Sequence, residues 1–251
     1  MYNAAFKALG LPYTYVSFEV SDLPTAIYGL RALNIRGFSL SRPFKEQCIA
    51  LLDQVDWTAA RIGAVNVVQN QNGSLVGYNS DWIGAVKALE KHVQLEGKRV
   101  AVLGAGGAGR AIAYGLKARR ADVLIFNRTR ARAQRVAEEL GVSLGGGLDE
   151  LQRILSADIV VNATPVGSIS MMEKDIVPTH LMRSSQTILD TVIVPLETDL
   201  IRSAKLAGCA TVLGAEMFAY QGAAAFKHFT GYEAPIETML QSLLSALSAK
   251  S

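Results

Sequence analysis

The sequence predicts an α/β protein built as two domains, each around its own sheet. Segments of β-branched alternation take turns with segments of helical periodicity along nearly all of the 251 residues. A short polar linker falls near Val93 to Gly97. Directly after it, the apolar run Lys98 to Leu103 meets Gly104-Ala-Gly-Gly-Ala-Gly109 and then the helical stretch Arg110 to Lys117. That strand, tight turn and helix is the context in which a G-x-G-x-x-G pattern binds a dinucleotide.

The elements follow in order. Tyr2 to Leu9 has helical spacing and stops at Gly10-Leu-Pro12, and Tyr13 to Val20 alternates as a strand should. Asp22 caps a helix through Leu33, and Arg36 to Ser41 is the next strand. Pro43 suits a first helical turn, with Phe44, Cys48, Leu51, Leu52 and Val55 as the buried side of the helix it opens. Ala64 to Gln69 and Ser74 to Tyr78 flank Asn70-Gln-Asn-Gly73, a hairpin signal. Asn79 or Ser80 then caps a helix through Lys91. Beyond the linker, strands are expected at Asp122 to Phe126, Asp158 to Asn162, Thr187 to Val192 and Thr211 to Leu213, with helices at Arg130 to Leu140 and Thr198 to Ala207. Repeated β-α units demand a parallel sheet with right-handed crossovers. Two helices, Glu216 to Phe229 and Ile236 to Ala249, end the chain. The expected division is residues 1–93, an α/β domain; 94–213, a Rossmann domain; and 214–251, helices that close back toward the first domain.

Composition excludes several classes of function. Half the residues are hydrophobic, 19% are charged and the formal charge is only +3, so nothing points to nucleic acid or a membrane surface. No apolar run approaches the ~20 residues that span a bilayer, and the N-terminus lacks a signal-peptide layout, so a cytoplasmic protein is expected. Cys48 and Cys209 stand far apart and read as small buried thiols. With His92, His180 and His228 unclustered, no metal site is expected.

The glycines have separate duties. A backbone that turns sharply and approaches a pyrophosphate has no room for a Cβ at Gly104 or Gly106, and Gly109 lets the helix pack closely. With Ala105, Gly107 and Ala108, these residues present a helix N-terminus to phosphate. NAD-binding domains usually place a carboxylate after the second strand, whereas this chain has Asn127-Arg-Thr-Arg-Ala-Arg132. Arg128, Thr129 and Arg132 can offer guanidinium forks and a hydroxyl to a 2′-phosphate, which favours NADP over NAD.

Ligands of open α/β sheets collect beyond the carboxyl ends of strands, and Lys45 and Asp81 both occupy strand-to-helix crossings. An ammonium beside a carboxylate can move the proton of an alcohol as hydride leaves its carbon. Read from position alone, a solvated lysine and a helix-dipole carboxylate explain these residues equally well.

At these residues the sequence resembles the shikimate and quinate dehydrogenase family. The ordered motifs run from Tyr2 to about Pro235: Asn3-Ala-Ala-Phe6, Gly37-Phe-Ser-Leu-Ser-Arg-Pro-Phe-Lys45, Gly63-Ala-Val-Asn66, Gly77-Tyr-Asn-Ser-Asp81, the Gly loop, Asn127-Arg-Thr129, Asn162-Ala-Thr-Pro165 and Gly214-Ala-Glu-Met-Phe-Ala-Tyr-Gln221. The resemblance implies an N-terminal substrate-binding domain, a C-terminal Rossmann NADP-binding domain, and Lys45 and Asp81 as the catalytic pair. It implies that Ser41, Asn66 and Gln221 bind substrate and adds Thr164, Val192 and Gly214 to the cofactor site. A pocket of hydrogen-bonding side chains suits a polyhydroxy acid, since a ligand lacking a hydroxyl leaves a buried group unpaired.

Two departures stand out. The family usually begins with a further strand and a serine-bearing loop that grips the substrate carboxylate, whereas this sequence starts at Met1-Tyr2-Asn3; truncation is the expectation, with an exposed sheet edge as its result. Asp190-Thr-Val-Ile-Val-Pro195 carries Ile193 where the family usually has tyrosine. Arg42 is one candidate for the missing carboxylate contact. The leading expectation is an NADP-dependent shikimate dehydrogenase, a monomer or homodimer acting on a small molecule. The alternatives are a quinate or other cyclic-acid dehydrogenase and a catalytically weak NADP-binding sensor.

Overall fold

The computed structural model describes residues 1–171 and 176–248. The first sheet holds β1 (Gly37–Ser39), β2 (Gln54–Val55), β3 (Val67–Gln71) and β4 (Ser74–Tyr78) in the order β1-β3-β4-β2. β3 and β4 form the expected hairpin, with Gln71 opposite Ser74. Its two loop residues, Asn72 and Gly73, have φ of 54° and 95°, and two successive positive φ values match the right-handed twist of the flanking strands. The Asn70 side chain accepts from the Gly73 N–H at 2.7 Å and secures the turn. β1 lies at the sheet edge, pairing only with β3.

Around this sheet lie α1 (Tyr2–Ala8), α2 (Leu23–Ala32), α3 (Phe44–Gln47), α4 (Trp57–Ile62) and α5 (Asp81–Glu90). Asp22 caps α2 by accepting from the Thr25 N–H at 3.3 Å. Three sequence expectations change here. Tyr13 to Val20 is no strand: Asn3 supplies both hydrogen bonds of Tyr15, 2.9 Å to its carbonyl and 2.7 Å from its N–H. Tyr15 stacks on Tyr2, while Val16 and Phe18 are 57% and 71% exposed. The segment alternates, but no strand among the described residues pairs with it. The helix expected from Pro43 to Val55 is only α3 and a 3₁₀ turn through Leu51, because the Asp53 and Asp56 N–H groups turn instead to the Leu75 and Gly77 carbonyls on β4. The unexpected α4 is capped by Asp56, which accepts from the Thr58 N–H, and ends at left-handed Gly63.

The second sheet holds β5 (Arg99–Leu103), β6 (Asp122–Phe126), β7 (Ser143–Gly146), β8 (Ile159–Asn162), β9 (Thr187–Asp190) and β10 (Ala210–Val212), all parallel, in the order β10-β9-β8-β5-β6-β7. β7 is an addition to the expected strands, since Ser-Leu-Gly-Gly lacks β-forming residues. Gly145 is required there because a Cβ would come within 2.4 Å of the Phe126 ring. Both faces are covered. Val100 and Val102 join Ile112 and Leu116 of α6 (Gly107–Ala118) and Val136 of α7 (Arg130–Leu140). Ala101 and Leu103 join Ile154, Ile188 and Leu200 of α8 (Asp199–Leu206) on the other side. β6 and β8 flank β5 on opposite sides, so the direction of strand order reverses at β5, and the Gly loop sits at that switch point.

The chain then returns to its first half. α9 (Gly214–Thr230) and α10 (Ile236–Ser248) place Phe226, Phe229 and Met239 against Tyr2, Phe6 and Val67. Ala249, the expected end of the last helix, lies outside the described residues. Gly84 of α5 makes room for α9, since a Cβ there would lie 2.6 Å from the Met217 carbonyl oxygen and 2.7 Å from Gln221 Cβ. No helix among the described residues is long and apolar enough to cross a membrane.

Candidate active site

The two crossings of the first domain meet at one point. Lys45, in the first turn of α3, donates from Nζ to Asp81 Oδ2 at 2.6 Å, and the two side chains are 16% and 6% exposed. The Lys45 carbonyl accepts from the Val65 N–H at 2.8 Å, which ties α3 to the residue before Asn66. Asp81 is the first residue of α5, and its N–H is held by Asn79 Oδ1 at 3.0 Å while Asn79 Nδ2 reaches the Ala64 carbonyl. Asn79 therefore secures the start of α5, and Ser80 occupies the cap position.

Asn66 and Gln221 join the same network. Asn66 Nδ2 lies 2.8 Å from Asp81 Oδ1, 3.0 Å from Ser80 Oγ and 3.3 Å from Gln221 Oε1. Its Oδ1 accepts from the Ser80 N–H at 2.7 Å, and Ser80 Oγ donates to Gln221 Oε1 at 3.1 Å. Ser80 is thus a partner that the sequence reading misses, although it stands inside the Gly77 to Asp81 motif. Close packing across Gly84 is what brings Gln221, 155 residues further along, to Asn66.

These groups open onto a cleft of about 1000 Å³. Lys45, Asn66, Asp81, Gln221 and Ser41 line one part of it, and Ala108, Thr164, Val192 and Gly214 line another. Ser41 is in the cleft but outside the network, its hydroxyl reaching only the neighbouring Arg42 carbonyl at 3.4 Å. Arg42 and Ile193 also face the cleft, as does Tyr2, whose hydroxyl is pushed upward in pKa chiefly by burial.

The second domain places the Gly loop at the start of α6. Gly104 has φ of 113°, and a Cβ on it would meet the Ala163 backbone at 3.0 Å. A Cβ on Gly109 would lie 1.9 Å from the Gly104 carbonyl oxygen, so this glycine seats α6 against its own loop. At Gly107 a Cβ would press on Lys45 Cβ at 3.1 Å, whereas at Gly106, the N-cap of α6, it would meet nothing within 4 Å. Open space before a helix N-terminus fits the pyrophosphate of a dinucleotide.

Residues 127–132 are fastened to that loop. Asn127 Oδ1 accepts from the Ala105 N–H at 3.2 Å, and its Nδ2 donates to the Thr129 carbonyl at 3.1 Å. Arg132 Nε donates to the Ala105 carbonyl at 3.0 Å. Arg128 is exposed and has no hydrogen-bond or ion-pair partner among the described residues, and the Thr129 hydroxyl caps nothing. The Arg128 guanidinium and the Thr129 hydroxyl beside the Gly loop fit a 2′-phosphate.

A second buried network, also missed from sequence, holds the loops over the cleft. Asp190, 1% exposed, accepts from Asn162 Nδ2 at 2.9 Å, the Val192 N–H at 3.1 Å and Thr198 Oγ1 at 2.6 Å. Asn162 Oδ1 in turn accepts from Thr164, backbone and hydroxyl. Burial raises the pKa of Asp190, against the pull of its three hydrogen bonds. Cys48 is also pushed up by burial, to about 12, which keeps this thiol unreactive.

Comparison with known proteins identifies the family of the chain. Residues 1–68 match the model of the shikimate dehydrogenase substrate binding domain, 86–198 that of shikimate / quinate 5-dehydrogenase, and 214–244 that of the shikimate 5′-dehydrogenase C-terminal domain. A relative from Pyrococcus abyssi, named shikimate dehydrogenase (NADP(+)), is 42% identical over 98% of this chain and 92% of its own length. The shikimate 5-dehydrogenase of Thermus thermophilus, solved with NADP(H) and shikimate, superposes with a TM-score of 0.89 at 36% identity, covering 98% of this chain and 93% of that one. Quinate dehydrogenase from Corynebacterium glutamicum, solved with NAD, gives 0.86 at 29% identity over 97% and 92% of the two chains. A chain matched along nearly its whole length by such relatives, with two domains folded as theirs are, belongs to the shikimate/quinate dehydrogenase family.

Proposed function

We propose that this chain is an NADP-dependent oxidoreductase that reversibly reduces 3-dehydroshikimate to shikimate, with Lys45 and Asp81 as its catalytic pair. The observation that carries the reading is the 2.6 Å Lys45–Asp81 contact inside the cleft that also takes in Thr164, Val192 and Gly214. Its support is the resemblance of the whole chain to NADP-dependent relatives.

The residues divide the work. Bound between the domains, the nicotinamide gives or receives the hydride. Lys45 gives a proton to the carbonyl oxygen as hydride reaches the carbonyl carbon, and in the reverse direction takes the proton of the hydroxyl. Asp81 holds the amine in place and balances its charge, and Asn66 fixes Asp81 through its other oxygen. Asn66 and Gln221 present amide groups to ring hydroxyls, and Ser41 offers a hydroxyl at the cleft wall. Gly104, Ala105, Gly106, Gly107, Ala108 and Gly109 take the pyrophosphate; Asn127, Arg128, Thr129 and Arg132 take the adenosine 2′-phosphate. Residues 1–93, 94–213 and 214–251 are the corresponding substrate, cofactor and closing segments, and a cytoplasmic monomer or homodimer belongs to the same proposal.

Ile193 at the cleft, together with the likeness to a quinate dehydrogenase, favours a second reading in which quinate is the acid oxidised. Nicotinamide absorbance with shikimate and quinate, each with NADP and NAD, separates the two. Shikimate with NADP gives the highest kcat/KM if the first reading holds, and no turnover of either acid refutes both.

A further inference from the structure

Arg132 is already engaged. Besides its bond to Ala105, its Nη2 donates to Glu46 Oε1 at 2.5 Å. Glu46 follows Lys45 on α3, so this ion pair runs from the first turn of α7 in one domain to the element that carries the reactive amine of the other. The neighbouring cations differ. Arg130 is neutralised by Glu150 within its own domain, and Arg128 has no partner among the described residues.

We propose that Glu46 is a cofactor-specificity residue: its carboxylate holds Nη2 of Arg132 and competes for it with the 2′-phosphate of NADP. The proposal rests on the reading of Arg132 as a 2′-phosphate contact. A carboxylate and a phosphate accept from the same N–H donors of an arginine, so a phosphate that takes Nη2 of Arg132 competes with Glu46. A phosphate arriving at Arg132 also meets the like charge of Glu46 at close range. The pair is easily exchanged, its side chains being 40% and 41% exposed, where ion pairs are weak. NAD has a 2′-hydroxyl there and leaves the pair undisturbed. Glu46 therefore sets a handicap that only the phosphorylated cofactor bears, and exchange releases Arg132 of α7 from α3 while Asp81 retains Lys45.

Fluorescence titration of the full chain with NADPH and NADH tests this without turnover, using Glu46→Gln, Arg132→Ala and the double variant. Glu46→Gln is expected to tighten NADPH about three- to fivefold, the size of one exposed ion pair, and to change NADH less than about twofold. Arg132→Ala should weaken NADPH selectively, and Glu46→Gln should give no further gain on that background. The inhibition constant of adenosine 2′,5′-bisphosphate, corrected for the NADPH affinity of each variant, should fall in Glu46→Gln by the same factor, and that of AMP should not. If Arg132→Ala leaves the NADPH to NADH ratio unchanged, the 2′-phosphate reading of Arg132 falls. If Arg132→Ala is selective while Glu46→Gln weakens NADPH, leaves it unchanged or shifts both cofactors equally, the role of Glu46 falls and the reading of Arg132 stands.

Discussion

Replacing Lys45 by methionine removes the amine and keeps most of the side chain's bulk. At 2.6 Å the gross attraction within the pair is about 6 kcal/mol for an effective dielectric of about 20, and desolvation cancels most of it. Removing one partner of a buried pair costs about 3–5 kcal/mol in general. Asp81 keeps the Asn66 amide at 2.8 Å and the lysine is 16% exposed, so Lys45→Met should cost about 2–3 kcal/mol, or about 5–10 °C in Tm. Chemistry suffers more. Loss of a positioned acid–base group lowers kcat about 10²- to 10⁴-fold, while NADPH, assigned above to the Gly loop and residues 127–132, should bind within about threefold of the parent protein. Initial rates at saturating shikimate and NADP, a thermal melt and an NADPH titration measure the three quantities separately. A kcat within tenfold of the parent, or a loss of NADPH affinity as large as the loss of kcat, would refute the assignment.

Two further outcomes follow from the same geometry. Gly109→Ala places a Cβ where the Gly104 carbonyl now stands at 1.9 Å, so the loop must shift; a stability loss of about 2–4 kcal/mol and at least tenfold weaker NADPH binding are expected, and an unchanged melt with unchanged binding would contradict the packing described. Asp190 has a folded pKa raised above its ordinary 3.8 by burial. The folded protein therefore holds this proton after the unfolded chain has lost it, and the contribution of Asp190 to stability falls as pH rises through the usual carboxylate range to the raised value, then levels. Urea unfolding of the parent and Asp190→Asn from about pH 3 to about pH 7 should show the parent losing ground to the variant with rising pH; a parent that gains ground instead would overturn the sign.

The parts of the molecule legible in the sequence are those whose constraint is local. The Gly loop announces itself because strand, turn and helix are contiguous, and Asn-Gly marks the β3–β4 turn for the same reason. Position puts Lys45 and Asp81 at crossings, but only their resemblance to a family pattern joins them, since 36 residues separate the two. Contacts made across the fold leave no local mark. Asp190 and Asn162 sit on adjacent parallel strands 28 residues apart, and Glu46 lies 86 residues from Arg132. Tyr13 to Val20 misleads for the opposite reason: its alternation is real, but Asn3 takes the hydrogen bonds of Tyr15 that a neighbouring strand would have taken. β7 is silent in the sequence because the ring of Phe126 dictates glycine at position 145, against every strand preference.

Gln221 reaches the Asn66–Asp81 side of the cleft from α9, after the whole second sheet has been laid down. The pocket is therefore completed last during synthesis. A ribosome-bound chain that already displays Lys45, Asn66 and Asp81 has no amide at the far wall until α9 emerges and docks across Gly84. The network around Lys45 and Asp81 thus stays incomplete until both sheets have been made.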